Sequence, residues 1–383
     1  MKWAVLLGSP AISGGTYVIF EHATRNKTDD VYVVTENPVS KEDVAWHEGA
    51  GSLKFITYEE ASKMFFDAAI ATWWRTVYEL SRIKASNYIY FVQSIESRFY
   101  PNQEVAVRWL SEATYLLPLN IITEAEWIKK YLEVNYHRDV ILVRNGIRKD
   151  IYKAEGASYK RTKGLRVLVE GPVDVSFKNV PKTVELVNKS QADEIWLLTS
   201  SDIKTFSGID RVFSRIPINE VAKIYRSCDV IVKLSYVEGM FGPPLEMFHC
   251  GGTSIVYDVT GYDEYVKDNY NSIVVNTDHE KDVVSAINRL KNNSKLLRRL
   301  KLNALKTANE WIGWDRSSSE FRDAVKNILQ KNNSISQQQL KNETGHLFAA
   351  YDLYNTKQIS LKHEIKKRLR SLAGKIYRLF WGR

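Results

Sequence analysis

Glu238-Gly-Met-Phe-Gly-Pro-Pro-Leu-Glu246 sets two carboxylates eight positions apart across a turn-rich entry to a helix. Gly-Pro-Pro cannot easily be helix interior, because proline lacks the N–H that an inner turn needs. Upstream, Cys228-Asp-Val-Ile-Val-Lys-Leu-Ser235 reads as a short buried strand; downstream, Leu245-Glu-Met-Phe-His-Cys250 reads as a helix closed by Gly251-Gly252. Strand, Gly-containing loop and helix N-terminus together form an anion site, since the first turn of a helix has free amides and the positive end of the backbone dipole. A carboxylate on each side of such a site suits a ligand that carries both phosphates and hydroxyls, as a sugar nucleotide does.

The alternation of apolar runs with helical patterns extends outward in both directions, the sign of parallel sheets with crossover helices. Before residue 150, strands are expected at 3–7, 31–35, 68–72, 88–92, 119–122 and 140–143; a polar segment, 151–164, reads as a linker. The pattern restarts with strands at 165–170, 194–199, 211–213, 230–234, 253–257 and 273–275. The domains expected are thus 1–150 and 165–310, followed by a helix over 311–330 and, from 331 to 383, a polar spacer and a basic amphipathic helix. After the polar spacer Lys331–Gln339 the fold proper is expected to be finished.

The stretch from Glu238 to Glu246 resembles the E-x7-E signature of the retaining family 4 glycosyltransferases, and the resemblance continues through Gly251–Gly261 and Asp268–Val275. It implies an α/β chain with the GT-B fold, two Rossmann-like domains facing a central cleft, and a segment after Trp314-Asp315 that crosses back onto the first domain. Carried over, Glu246 is the ribose ligand, Glu238 the sugar-facing carboxylate, and Met240, Phe241 and Gly242 the loop that holds sugar and diphosphate. The family's Gly three residues after the first Glu is here Phe241, with Gly242 following. Lys178 stands at the family's phosphate lysine, while the partner arginine is absent and Gly171-Pro172 lies in its neighbourhood; Arg215 is a candidate replacement. The resemblance implies transfer along a front-face route without an enzymic nucleophile.

In the first half, Ser9–Gly15 joins a strand to a helix starting near Thr16, which makes Gly14 and Gly15 donor-site candidates. Ala71–Thr76 and Tyr88–Pro101 resemble the amino-terminal half of rhamnosyltransferase-like enzymes from bacterial surface-polysaccharide clusters. On that resemblance Thr72 and Trp74 are acceptor-side candidates, Gln93 and Glu96 join Glu238 and Lys178 as catalytic candidates, and Trp73 is read as core. Rhamnose from a dTDP donor, a lipid-linked surface glycan as acceptor and a partner glycosyltransferase follow as expectations. A sugar-nucleotide epimerase and a noncatalytic sugar-nucleotide-binding scaffold stay open as alternatives.

Composition bounds the rest. The 383 residues, 44% of them hydrophobic, are enough for two full cores. Cys228 and Cys250 are the only cysteines and read as reduced, buried small residues. No Asp-x-Asp or His cluster suggests a metal, and no cofactor beyond the nucleotide-sugar donor is expected. No run reaches transmembrane length, and the first residues do not read as a signal peptide, so a cytoplasmic place is expected. Of the net charge of +9, residues 360–383 carry +7, with eight Lys or Arg against Glu364 alone. Nucleic-acid binding over a broad face is thereby disfavoured. Leu361, Ile365, Leu369, Leu372, Ile376 and Leu379 share one helical face, with Lys362, Lys366, Lys367, Arg370 and Arg378 largely elsewhere and Phe380-Trp381 near the end. Such a helix suits the anionic inner face of a plasma membrane, a partner, or the protein's own surface.

Overall fold

The computed structural model describes residues 1–160, 164–331 and 334–354. The chain builds two parallel sheets. The first holds β1 (Lys2–Leu6), β2 (Asp30–Thr35), β3 (Lys54–Thr57), β4 (Phe65–Ala71), β5 (Lys84–Val92), β6 (Asn120–Thr123) and β7 (Val140–Leu142) in the order β3-β2-β1-β4-β5-β6-β7. The second holds β8 (Arg166–Glu170), β9 (Glu194–Thr199), β10 (Arg211–Ser214), β11 (Val230–Lys233), β12 (Thr253–Tyr257) and β13 (Ser272–Val275) in the order β10-β9-β8-β11-β12-β13. Strands such as Val-Ile-Val-Lys are apolar on both faces because helices cover both sides of a parallel sheet.

Each sheet therefore has two cores. Leu6, Phe66, Tyr90 and Ile121 lie in one cluster of the first lobe; Trp3, Phe20, Phe91 and Ile122 lie in another. In both sheets the strand order reverses beside the first strand, between β1 and β4 and between β8 and β11. The carboxyl ends at such a reversal open a crevice, where open α/β sheets take their ligands. Here the two crevices face each other.

The helix Trp314–Gln330 returns to the first lobe, where Trp314, Phe321, Val325 and Ile328 complete the core around Trp3 and Phe91. The passage is tight: a Cβ on Gly146 would lie 2.4 Å from the Trp314 amide nitrogen. The chain crosses between the lobes at adjoining points, joined by a parallel bridge from Ile147 to Gly313.

Two expectations are corrected. The edge strand β3 was not expected. Nor is the fold finished after the spacer: residues 337–354 form a helix on the first lobe, with Leu340 fully buried and Phe348 against Tyr78 at a ring distance of 4.5 Å. Gln337 donates to the Ser81 carbonyl at 2.9 Å. The polar composition hid one apolar face, Leu340 and Leu347, which burial stabilises. The basic helix expected near the end of the chain lies outside the described residues.

Candidate active site

A cleft of about 1050 Å³ lies between the two reversal points. On its second-lobe side, β8 ends at Glu170, and the short turn Ser176–Lys178 follows. β11 ends at Lys233, and the chain then runs through Glu238 into the helix Gly242–His249. Pro243 and Pro244 occupy the first turn of that helix, where no intrahelical N–H is required of them.

These ends bring a charged group together. Lys178 Nζ donates to Glu238 Oε2 at 2.7 Å, and Lys233 Nζ donates to Glu170 Oε2 at 2.6 Å while lying 3.7 Å from Glu238 Oε1. Glu246, one turn into the helix, faces the cleft and accepts from the Tyr225 hydroxyl at 3.2 Å. Arg215 also lines the cleft, more than half exposed, and is held by Asp202 and the Ser200 carbonyl.

The loop between the two carboxylates departs from expectation. The Phe241 ring is only 1% exposed and packs in the second-lobe core, and the Tyr265 hydroxyl donates to its carbonyl. An apolar ring is stabilised more by that core than by a wet cleft, so Phe241 is not a cleft residue. Met240 and Gly242 do line the cleft, but their amides are engaged, one donating to Glu124 Oε1 at 3.0 Å and the other to the Met240 carbonyl at 2.9 Å.

On the first-lobe side, the helix Gly14–Arg25 starts at the cleft, capped by Ser13, whose hydroxyl accepts from the Thr16 amide at 3.1 Å. Gly14 and Gly15 line the cleft, and a Cβ on Gly15 would meet the Gln93 amide group at 3.4 Å. Gln93 in turn donates to the Thr72 carbonyl at 3.2 Å, and the Thr72 hydroxyl donates to the Leu6 carbonyl at 2.7 Å. Thr72 faces the cleft, but its hydroxyl proton is spent inside the fold.

The tryptophan pair is reversed from expectation. Trp73 lines the cleft, whereas Trp74 packs with Tyr78 and Leu110 and donates its indole N–H to Tyr100 at 3.1 Å. Helix Trp74–Glu79 begins between them, so neighbouring side chains point opposite ways. Glu96 borders the cleft yet is almost wholly buried, its Oε2 accepting from the Trp74 amide at 2.7 Å and the Tyr90 hydroxyl at 2.8 Å. That oxygen anchors the turn carrying Trp73.

Sequence reasoning missed Glu124 and Gly239, which join the lobes. Glu124 accepts from the Met240 amide and, at 2.8 Å, from Asn145. Trp127 Nε1 donates to the Gly239 carbonyl at 3.0 Å, and Ser94 donates to the Glu238 carbonyl at 3.3 Å. A Cβ on Gly239 would lie 2.0 Å from the Gln93 carbonyl oxygen, so only glycine permits this approach. Phe99 stacks on Phe177 nearby, with ring centres 5.0 Å apart.

Burial and charge divide the carboxyl groups. Burial pushes Glu96 up to about 8, and burial also lifts Glu124 and Glu246 to about 7, helped at Glu246 by the Glu170 charge. Burial acts upward on Glu238 too, but Lys178 and Lys233 outweigh it and hold its carboxyl below the usual value. The cleft thus sets an ionised Glu238 beside Glu96, Glu124 and Glu246, which hold protons near neutrality.

Residues 210–307, which include β11, both glutamates and β12, match the family model described as Glycosyl transferases group 1. An uncharacterized glycosyltransferase of Methanocaldococcus jannaschii is 26% identical over 212 residues, 51% of this chain. The match covers 56% of that relative's length. Among solved structures, sucrose-phosphate synthase from Thermosynechococcus elongatus superposes with a TM-score of 0.69 at 15% identity, over 86% of this chain and 99% of that one. HepE of Anabaena in complex with UDP-glucose gives 0.69 at 12% identity, over 85% and 100%. At these identities the likeness is one of fold, and the two lobes form the GT-B architecture.

Proposed function

We propose that this chain is a retaining glycosyltransferase that moves a sugar from a nucleoside-diphosphate donor to a glycan acceptor. The observation that carries the proposal is the meeting of Lys178, Glu238 and Glu246 beside the N-terminus of helix Gly242–His249, at the carboxyl ends of β8 and β11. The family match over residues 210–307, which hold Glu238 and Glu246, supports it, as does the likeness to a fold solved with UDP-glucose in HepE.

Each residue then has chemistry to do. Glu246 accepts hydrogen bonds from the ribose hydroxyls, with Tyr225 holding its carboxylate in place. As the bond from anomeric carbon to diphosphate breaks, negative charge grows on the phosphate oxygens. Lys178, held at the cleft wall by Glu238, meets that charge with its ammonium, which lowers the barrier. Glu238 faces the sugar. Gly14 and Gly15 let the donor approach the first-lobe helix amides, and Trp73 replaces Trp74 as the acceptor-side aromatic. The reaction needs no resident cofactor in this proposal.

The finer assignment is a dTDP-rhamnose donor and a lipid-linked surface glycan acceptor, supported by the amino-terminal sequence resemblance. Attachment to the inner face of the plasma membrane through residues 357–383 belongs to the same proposal, on the basic amphipathic pattern of that segment. No helix among the described residues is long and apolar enough to cross a membrane.

Thermal shift with UDP, GDP, ADP and dTDP tests the reading. A nucleoside diphosphate at a hundred times its Kd stabilises the fold by about 2.7 kcal/mol, so the matching base should raise Tm by several degrees. No stabilisation by any of the four would overturn the proposal. Conversion of the matching sugar nucleotide without acceptor, to an isomer, would instead identify an epimerase.

A further inference from the structure

Lys233 is an unusual residue to find at the end of a central strand. Its side chain is 3% exposed, β11 lies between β8 and β12, and the neighbouring positions of the strand are wholly apolar. A buried ammonium persists only where charge and hydrogen bonds compensate its lost hydration. Two carboxylates do so. Glu170, from the end of β8, accepts from Nζ at 2.6 Å, and Glu238 lies 3.7 Å away on the other side. All three side chains border the cleft.

The arrangement is asymmetric. Glu238 Oε2 is taken by Lys178, which is partly exposed at the cleft wall, whereas Glu238 Oε1 is buried without a hydrogen bond. Lys233 is the cation facing that bare oxygen. When a diphosphate enters and draws Lys178 toward it, Glu238 loses the shorter of its two ion pairs and remains as a buried carboxylate with Lys233 beside it. The other charged and titratable groups around this loop are Glu246 on the following helix, Glu124 at the Met240 amide and Tyr265 at the Phe241 carbonyl. None of them is a cation.

We propose that Lys233 is a positioning residue that holds Glu238 ionised and oriented toward the sugar while Lys178 is engaged by the leaving diphosphate, with Glu170 as the fixed counter-ion that keeps Lys233 in place. The proposal rests on the glycosyl-transfer reading for its catalytic consequence. Its electrostatic part stands on the apo protein alone. The division of labour is between a mobile lysine at the wall, which serves the phosphate, and a buried lysine at the floor, which serves the carboxylate.

The experiment compares parent, Glu170→Gln and the double variant Glu170→Gln/Lys233→Met. Lys233→Met alone would leave two carboxylates facing each other in a buried site and could unfold; the double variant removes both charges and preserves volume. The Glu238 carboxyl is titrated by carbon-13 NMR in each apo protein, with Glu238→Gln used to assign its resonance, and kcat and KM are measured across pH with the donor found by thermal shift. The expected result is a titration midpoint for Glu238 at least one pH unit higher in the double variant than in Glu170→Gln. The acidic limb of kcat should move by a similar amount, and kcat at neutral pH should fall at least tenfold with KM for donor changed less than threefold. An unmoved Glu238 midpoint would overturn the proposal, as would a double variant with the pH profile of Glu170→Gln. If the parent transfers no sugar, the glycosyl-transfer reading fails by itself, and the NMR titration still decides whether Lys233 holds Glu238 ionised.

Discussion

Replacing Gly239 by alanine should disable transfer while sparing nucleotide binding. The new Cβ would lie 2.0 Å from the Gln93 carbonyl oxygen and 3.0 Å from Glu124 Oε1. A backbone carbonyl at the end of a central strand cannot rotate aside, so the loop must withdraw from the first lobe. Three hydrogen bonds cross that gap: the Met240 amide to Glu124, Trp127 to the Gly239 carbonyl, and Ser94 to the Glu238 carbonyl. A hydrogen bond to a charged group is worth about 1.5–3 kcal/mol and a neutral one about 0.5–1.5 kcal/mol, so weakening all three costs on the order of 3 kcal/mol of lobe closure. That corresponds to roughly a hundredfold or more in kcat/KM. Glu246 and Tyr225 lie wholly within the second lobe, so calorimetry should find the nucleoside diphosphate Kd within about threefold of the parent. Adding Gln93→Ala should not rescue the variant, because the obstructing atom belongs to the backbone. A Gly239→Ala protein with parental kcat/KM would refute the reasoning.

Other outcomes follow from the same geometry. Glu246→Gln should weaken nucleotide binding by about 1.5–3 kcal/mol with the melting temperature preserved, measured by calorimetry; unchanged affinity would remove Glu246 from the ribose site. Lys178→Ala should lower kcat by on the order of a hundredfold with a smaller change in donor Kd, read from single-turnover rates. Leu340→Ala should destabilise the protein by about 2–4 kcal/mol in urea unfolding, since the side chain is fully buried against the first lobe. Glu96, Glu124 and Glu246 have carboxyls raised to about 8, 7 and 7 in the folded protein. Above the unfolded carboxyl pKa the folded state binds more protons than the unfolded one, so stability contributed by these three groups falls as pH rises from about 5 to 8, by at most about 1.4 kcal/mol per pH unit for each. Urea midpoints that do not decrease between pH 5.5 and 8 would show those groups to be ionised throughout.

Much of this architecture was legible because central parallel strands are written as unbroken apolar runs. Val230–Lys233 and Thr253–Tyr257 are flanked by turn residues and covered on both faces, so their sequence admits little else. Lys54–Thr57 is a four-residue edge strand with no fully buried side chain, and nothing in Lys-Phe-Ile-Thr separates it from loop. The helix over 337–354 was hidden for the opposite reason: most of its residues face water, and few apolar positions mark the side that docks. Within the site, Glu238 and Glu246 were read from a linear motif, and Lys178 only from its place in the family resemblance. Glu124 has no such context; its role depends on Met240, 116 positions later, arriving at hydrogen-bond distance. Trp73 and Trp74 show a further limit, since composition alone cannot decide on which side of a strand-to-helix turn two adjacent identical residues fall.

The return of helix Trp314–Gln330 to the first lobe bears on how the protein emerges from the ribosome. The face of the first sheet that carries Trp3 and Phe91 is partly covered by Phe20 of helix Gly14–Arg25, and its core is complete only when Trp314, Phe321 and Val325 arrive. At about 5–20 residues per second, the roughly 170 residues between β7 and that helix take on the order of 10–35 s to translate. Throughout that interval the second lobe can fold around its own β8–β13 sheet, while the lobe made first waits with an apolar face partly uncovered. The amino-terminal half of the chain is thus begun first and completed last, which makes the nascent first lobe, rather than the later-made second lobe, the natural client of a chaperone.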